Sequence, residues 1–148
     1  MRVEEVPAET THDLRRRVLR EARPDAVVAF PEDDRPGAFH LAVRDDGDCG
    51  AMVAVASFSP EPCPHRSGRA AVRLRGMAVE RHRQGQGVGR LLVAAAADRL
   101  REAGVAVLWC NARDSALGFY AGMGFEVVSE GFVLPDSGQP HHVMVRDL

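Results

Sequence analysis

The chain has 148 residues, 45% of them apolar and 27% charged, with a formal net charge of −2 at pH 7. That is the balance of a globular domain able to bury one core, and it excludes a protein that grips nucleic acid by bulk electrostatics. All 19 basic residues are arginine, which excludes a Walker-type phosphate loop and Schiff-base chemistry on lysine.

The opening segment MRVEEVPAET carries acids and lacks the apolar stretch of a signal peptide. Residues 2–6 read as a first strand. Thr10 or Thr11 can cap a helix running to about Arg20, with Leu14, Val18 and Leu19 as its apolar stripe. The other side of that helix, Arg15, Arg16, Arg17 and Arg20, reads as a solvated face. Prolines and Gly37 make residues 21–38 a loop. Phe39 to Arg44 alternates as a strand, the run Asp45, Asp46, Gly47, Asp48 is a hairpin signal with Gly47 free to take positive φ, and residues 49–58 return. A Pro-rich loop from Ser59 to Gly68 precedes a third long strand, Arg69 to Val79. Together these predict an antiparallel meander.

From Gly87 to Ala103 the spacing turns helical, with Leu92, Ala95, Ala96, Leu100 and Ala103 on one face and Gly104 as the stop. The apolar run 105–110 follows, as in a central strand buried on both faces. Strand, helix, strand in about 40 residues is a βαβ unit with parallel strands. A short helix capped by Asp114 ends at Gly122 or Gly124, and residues 125–133 with 141–147 read as a final hairpin. The fold class is therefore α/β, one domain over residues 1–148, with a mixed sheet flanked by helices. Cys49, Cys63 and Cys110 are scattered and form no C-x-x-C pair, the usage of a reducing compartment. No apolar run approaches the roughly 18 residues of a membrane span. A cytoplasmic protein without membrane partner or metal is expected.

The strongest chemical signal is RQGQGVGR, Arg83 to Arg90, between a strand and a helix. Glycines remove Cβ atoms where a ligand must approach the backbone. The helix start adds unpartnered N–H groups and the positive end of the dipole, an anion site suited to a pyrophosphate. Arg81, Arg83 and Arg90 add charge. A dinucleotide-binding G-x-G-x-x-G does not fit in either register, because Arg90 or Leu92 stands where its third glycine belongs.

The stretch MAVERHRQGQGVGRLL, Met77 to Leu92, resembles the acetyl-CoA-binding motif of the GNAT superfamily of N-acetyltransferases, with Gln84, Gly87 and Gly89 in its key places. NARDSALGFYAGMGFEV, Asn111 to Val127, resembles the second motif of that family. The resemblance implies that the two strands of the βαβ unit splay apart around the pantetheine arm. Met77, Ala78 and Val79 would then supply backbone groups, one N–H polarising the thioester carbonyl. The turn Gln84, Gly85, Gln86, Gly87, Val88, Gly89 and Arg90 would hold the pyrophosphate, with Asn111 and Ser115 contacting the cosubstrate from the other side. It further implies direct transfer of an acetyl group from acetyl-CoA to an amine in a ternary complex, with Tyr120 as the acid that protonates the leaving thiolate. A catalytically weak acyl-CoA-binding sensor or partner domain is the alternative. No acid lies between Ala70 and Val79, where relatives often keep a base. Glu80, His141 and His40 are candidates, and none is assigned. Arg73 and Arg75 share a face with Met77 unless a bulge at Gly76 breaks the register. If they face the cleft, the acceptor amine carries an anionic group. Dimerisation through the last strands is common in that family, so the resemblance allows a homodimer, although no patch in the sequence points to one.

Overall fold

The computed structural model describes residues 1–135 and 137–148. Among them eight strands form a mixed sheet, and the chain divides into two compact units, residues 1–60 with 74–98 and residues 61–73 with 99–148.

The first unit holds β1 (Arg2–Val6), β2 (Phe39–Asp45), β3 (Ala51–Pro60) and most of β4 (Ala71–Val79), in the order β1-β2-β3-β4. β1 and β3 both run antiparallel to β2, with Val6 opposite His40 and Phe58 opposite Phe39. The predicted meander is present, but its turn differs. Gly47 is not left-handed; the side chain of Asp45 accepts its N–H at 3.0 Å and holds residues 46–48 in a 3-10 turn. The reversal falls two residues later, on Cys49 (φ 53°) and Gly50 (φ 74°).

Residues 8–19 are helical but irregular. A 3-10 turn (Ala8–Thr11) leads into one α-helical turn, α1 (His12–Leu14), and then a π-helical turn (Arg15–Leu19). Neither threonine caps it, since helical backbone begins at Ala8 and the Thr11 hydroxyl donates back to the Ala8 carbonyl at 2.6 Å. Leu14, Val18 and Leu19 pack with Val6, Ala42, Val55 and Ala78, so the apolar stripe is as expected.

Arg15 corrects the reading of the polar face, because it is only 1% exposed. Its Nη1 donates to Asp33 Oδ2 and to the Val28 carbonyl, each at 2.7 Å. Its Nη2 donates to Asp33 Oδ1 at 2.9 Å and to Ser57 Oγ at 2.5 Å. Ser57 Oγ in turn lies 2.6 Å from His40 Nδ1, and His40 Nε2 lies 3.2 Å from the Asp33 carbonyl. Burial alone raises the Asp33 carboxyl, but bonds from Arg15 and the Phe30 amide outweigh it and hold the group below its ordinary value.

Breaking a buried pair strands its partner's charge, so Asp33→Ala is expected to cost about 3–5 kcal/mol, read from urea unfolding. Because the folded-state value of Asp33 is depressed, its contribution is complete above the unfolded carboxylate range. It is lost as pH falls through the folded value, so wild-type stability should decline below about pH 4.

The second unit has the order β4-β5-β8-β6, with β7 also on β8. Its further strands are β5 (Val107–Arg113), β6 (Glu126–Val127), β7 (Phe132–Val133) and β8 (Pro140–Asp147). The first residues of β4 pair parallel with β5, from Ala71 opposite Val107 to Arg73 opposite Trp109. The connecting helix α2 (Val88–Glu102) ends at Gly104, φ 80°, as the sequence predicts. Its buried face is Leu92, Val93, Ala96, Ala97 and Leu100; Ala103 is exposed. Val107 to Cys110 are all buried, the expected central strand.

The last hairpin is corrected to two short strands that share β8, Glu126 opposite Val145 and Phe132 opposite His141. Between them Gly131 lies so close to His142 that a Cβ would meet its ring at 3.2 Å. The short helix α3 (Leu117–Ala121) follows a 3-10 turn (Asp114–Ala116). Asp114 does not cap this stretch; its carboxylate meets His142 Nδ1 at 2.6 Å. Among the described residues no helix is long and apolar enough to cross a membrane, and no three His, Cys, Asp or Glu side chains cluster as metal ligands.

Candidate active site

The residues singled out around the glycine turn are contiguous in the first unit. β4 ends at Val79, and the Glu80 amide donates to the Val53 carbonyl at 2.8 Å. A 3-10 turn (Arg81–Arg83) follows. The Gln84 side chain then reaches back to the Val79 carbonyl at 3.0 Å, and that of Gln86 to the His82 carbonyl at 3.0 Å. These two amides tie the turn to the strand. Gly85 (φ 78°) and Gly87 (φ 80°) take the left-handed backbone that L side chains avoid, and a Cβ on either would meet nothing within 4 Å. Both are exposed, whereas Val88 and Gly89 are buried at the start of α2.

The first turn of α2 thus follows a turn whose two left-handed glycines leave open space beside the backbone. The glycines, the open space beyond them and the dipole end suit a pyrophosphate. The arginines contribute less than the sequence suggests: Arg83 is turned to Asp45, 2.5 Å away, while Arg81 and Arg90 stay exposed.

Upstream on β4, Gly76 has φ 60° in the middle of a strand, the bulge that breaks regular alternation. Met77 next to it is half-buried, and Ala78 and Val79 are buried. The arginines expected on this strand both have carboxylate partners. Arg75 meets Glu32 at 3.4 Å. Arg73 meets Glu61 at 3.1 Å and lies over Trp109, 5.0 Å from its ring centre.

Of the base candidates, Glu80 is held by Arg17 at 2.5 Å. His40 is buried and engaged at both ring nitrogens, by Ser57 Oγ and the Asp33 carbonyl. His141 is buried, with Nδ1 at 2.7 Å from the Gln139 carbonyl and its ring stacked on Phe132.

Asn111, Ser115 and Tyr120 belong to the second unit. Asn111 is half-buried on β5 opposite Val143, and Ser115 is exposed in the turn before α3. Tyr120 is 8% exposed, with edge-to-face contacts to Phe119 and Phe125 at 5.2 and 5.4 Å. Burial raises its phenol above the ordinary value, Cys110 adds to the rise, and Arg113 opposes it. Tyr120 is therefore a neutral O–H at every ordinary pH. Burial also pushes the Cys110 thiol up to about 12, so it is no thiolate nucleophile at neutrality.

Sequence reasoning missed the Arg15 network behind β4. Two signals pointed to it: Arg15 sits one position from Leu14 and three from Val18, on the rim of the apolar stripe, and Gly76 interrupts a strand.

Comparison with known proteins bears on the family and the fold. The uncharacterized N-acetyltransferase YitI of Bacillus subtilis (strain 168) is 36% identical over 148 residues, all of this chain and 97% of that protein. An acyl-CoA N-acyltransferase from Pseudomonas aeruginosa superposes with a TM-score of 0.74 at 20% identity, over 98% of each chain. An aminoglycoside 6'-N-acetyltransferase complexed with coenzyme A gives 0.74 at 16% identity, over 99% of this chain and 97% of that one. The model of the acetyltransferase (GNAT) family matches residues 8–125, and with most of its length so matched the chain belongs to that family as a GNAT-type N-acetyltransferase.

Proposed function

We propose that this chain, acting as one domain over residues 1–148, transfers an acetyl group from acetyl-CoA to an amine by direct attack. The observation that carries this reading is the turn from Gln84 to Gly89. It has two left-handed glycines facing open space and leads from the end of β4 into the start of α2. The fold is that of the aminoglycoside enzyme complexed with coenzyme A. In this reading the N–H groups of Gly85 to Arg90 hold the pyrophosphate. The backbone of Met77 to Val79 lines the pantetheine arm and offers an N–H to the thioester oxygen. Asn111 and Ser115 contact the cosubstrate, and Tyr120 donates a proton to the departing sulfur. The protein works in the cytoplasm without metal, membrane or nucleic acid, and a homodimer is compatible with this reading.

Arg73 and Arg75 already face Glu61 and Glu32, so an anionic acceptor would have to displace an internal carboxylate. A carboxylate on the acceptor is therefore expected to improve kcat/KM by less than about tenfold, the equivalent of 1.4 kcal/mol. Steady-state rates of matched amines with and without that group read this directly. A larger advantage that disappears in Arg75→Ala would restore the anionic acceptor.

The lack of an acid on β4 favours one alternative, a domain that binds acyl-CoA without useful turnover. Release of free thiol from acetyl-CoA in the presence of an amine panel separates the two. Amine-dependent release with an acetylated product supports the enzyme. Tight binding without product from any amine supports the sensor.

A further inference from the structure

The Arg15 network does more than fill a core. Its guanidinium is fixed by four hydrogen bonds, two to Asp33 and one each to Val28 and Ser57. One of its faces lies on the Phe30 ring, 4.1 Å from the centre. The remaining donor, Nε, is buried and has no hydrogen-bond partner among the described residues. It lies beside the β4 bulge: a Cβ on Gly76 would lie 2.9 Å from Arg15 Nε and 3.2 Å from Phe30 Cε2. A buried ion pair is a poor route to stability, since well-packed apolar side chains often serve as well. What this one offers is a rigid, flat wall, held from several directions, against which the backbone of Gly76 is moulded at φ 60°.

We propose that Arg15 is a positioning residue for acyl transfer. By fixing the bulge at Gly76 it sets the plane of the peptide that follows, and with it the direction of the Met77 N–H. That peptide rotates with the backbone of Gly76, and a donor misplaced by about 1 Å forfeits most of its effect on a developing oxyanion. Asp33, Ser57 and His40 act one step further back: they hold the guanidinium, and Ser57 is itself held by His40. The inference rests on the reading that β4 polarises the thioester.

The test is isotope-edited infrared spectroscopy of acetyl-CoA carrying 13C at the thioester carbonyl, bound to the wild type, to Arg15→Lys and to Ser57→Ala. Dissociation constants and urea unfolding are measured on the same samples. The wild type should lower the carbonyl frequency relative to free acetyl-CoA. Arg15→Lys keeps the charge but loses the fork, and should forfeit at least about half of that shift while the dissociation constant changes less than about threefold. Ser57→Ala removes one of the four bonds and should lie between. A wild-type shift in both variants overturns the proposal, as does a shift that falls only in step with affinity and stability. If Arg15→Lys does not fold, Ser57→Ala decides alone, and a full shift there refutes the idea. A wild type that fails to bind acetyl-CoA overturns the functional reading itself. Binding and turnover without any dependence of the shift on Arg15 or Ser57 overturns only this inference.

Discussion

Gly87→Glu should abolish the stabilisation that acetyl-CoA gives the wild type. A ligand at about 100 times its dissociation constant adds roughly 2.7 kcal/mol to the folded state, an increment easily read by thermal unfolding. The substitution places a carboxylate where nothing lies within 4 Å of the Cβ position, which is where the proposed reading puts the phosphates. It also forces a φ of 80° on a residue with a side chain, which costs roughly 1–2 kcal/mol with or without ligand. Gly87→Ala isolates that backbone cost without the charge. The alanine variant should melt somewhat lower and still respond to acetyl-CoA, while the glutamate variant should not respond. An equal response from both would place the phosphates elsewhere.

Tyr120→Phe should lower kcat by about 10²–10⁴-fold, the usual worth of a positioned general acid, with acetyl-CoA affinity nearly unchanged. The ring would keep its edge-to-face contacts with Phe119 and Phe125, so the fold should tolerate the change. Burial raises the phenol above its ordinary value of about 10. The proton therefore stays on through the alkaline range, and kcat should show no loss from Tyr120 deprotonation below about pH 10. Pre-steady-state thiol release across pH 6 to 10 measures both points. Wild-type kcat in the variant would mean that Tyr120 only packs.

Much of this was legible because periodicity and glycine placement are local properties of a chain. The strand from Phe39, the apolar run to Cys110 and the stop at Gly104 each correspond to an observed element, although Phe39 to Val43 are all buried and do not alternate. The turn at Gln84 to Gly89 was legible for the same reason, since positive φ and missing Cβ atoms are written into the residue type. What escaped depended on partners far away in sequence. Arg15 reads as solvated until Asp33, 18 residues on, and Ser57, 42 residues on, surround it. Arg83 reads as a phosphate ligand until Asp45 claims it. Asp114 reads as a helix cap until His142 takes its carboxylate. In each case a side chain with two outlets used the one that tertiary packing supplied.

The most direct test of the central claim is a titration of 15N-labelled protein with acetyl-CoA, followed by amide chemical shifts. Shifts concentrated at Met77 to Val79 and at the amides of Gly85, Gly87, Val88 and Gly89 are the predicted result. An unchanged spectrum at millimolar acetyl-CoA, or perturbations that spare this turn and gather elsewhere, would contradict it.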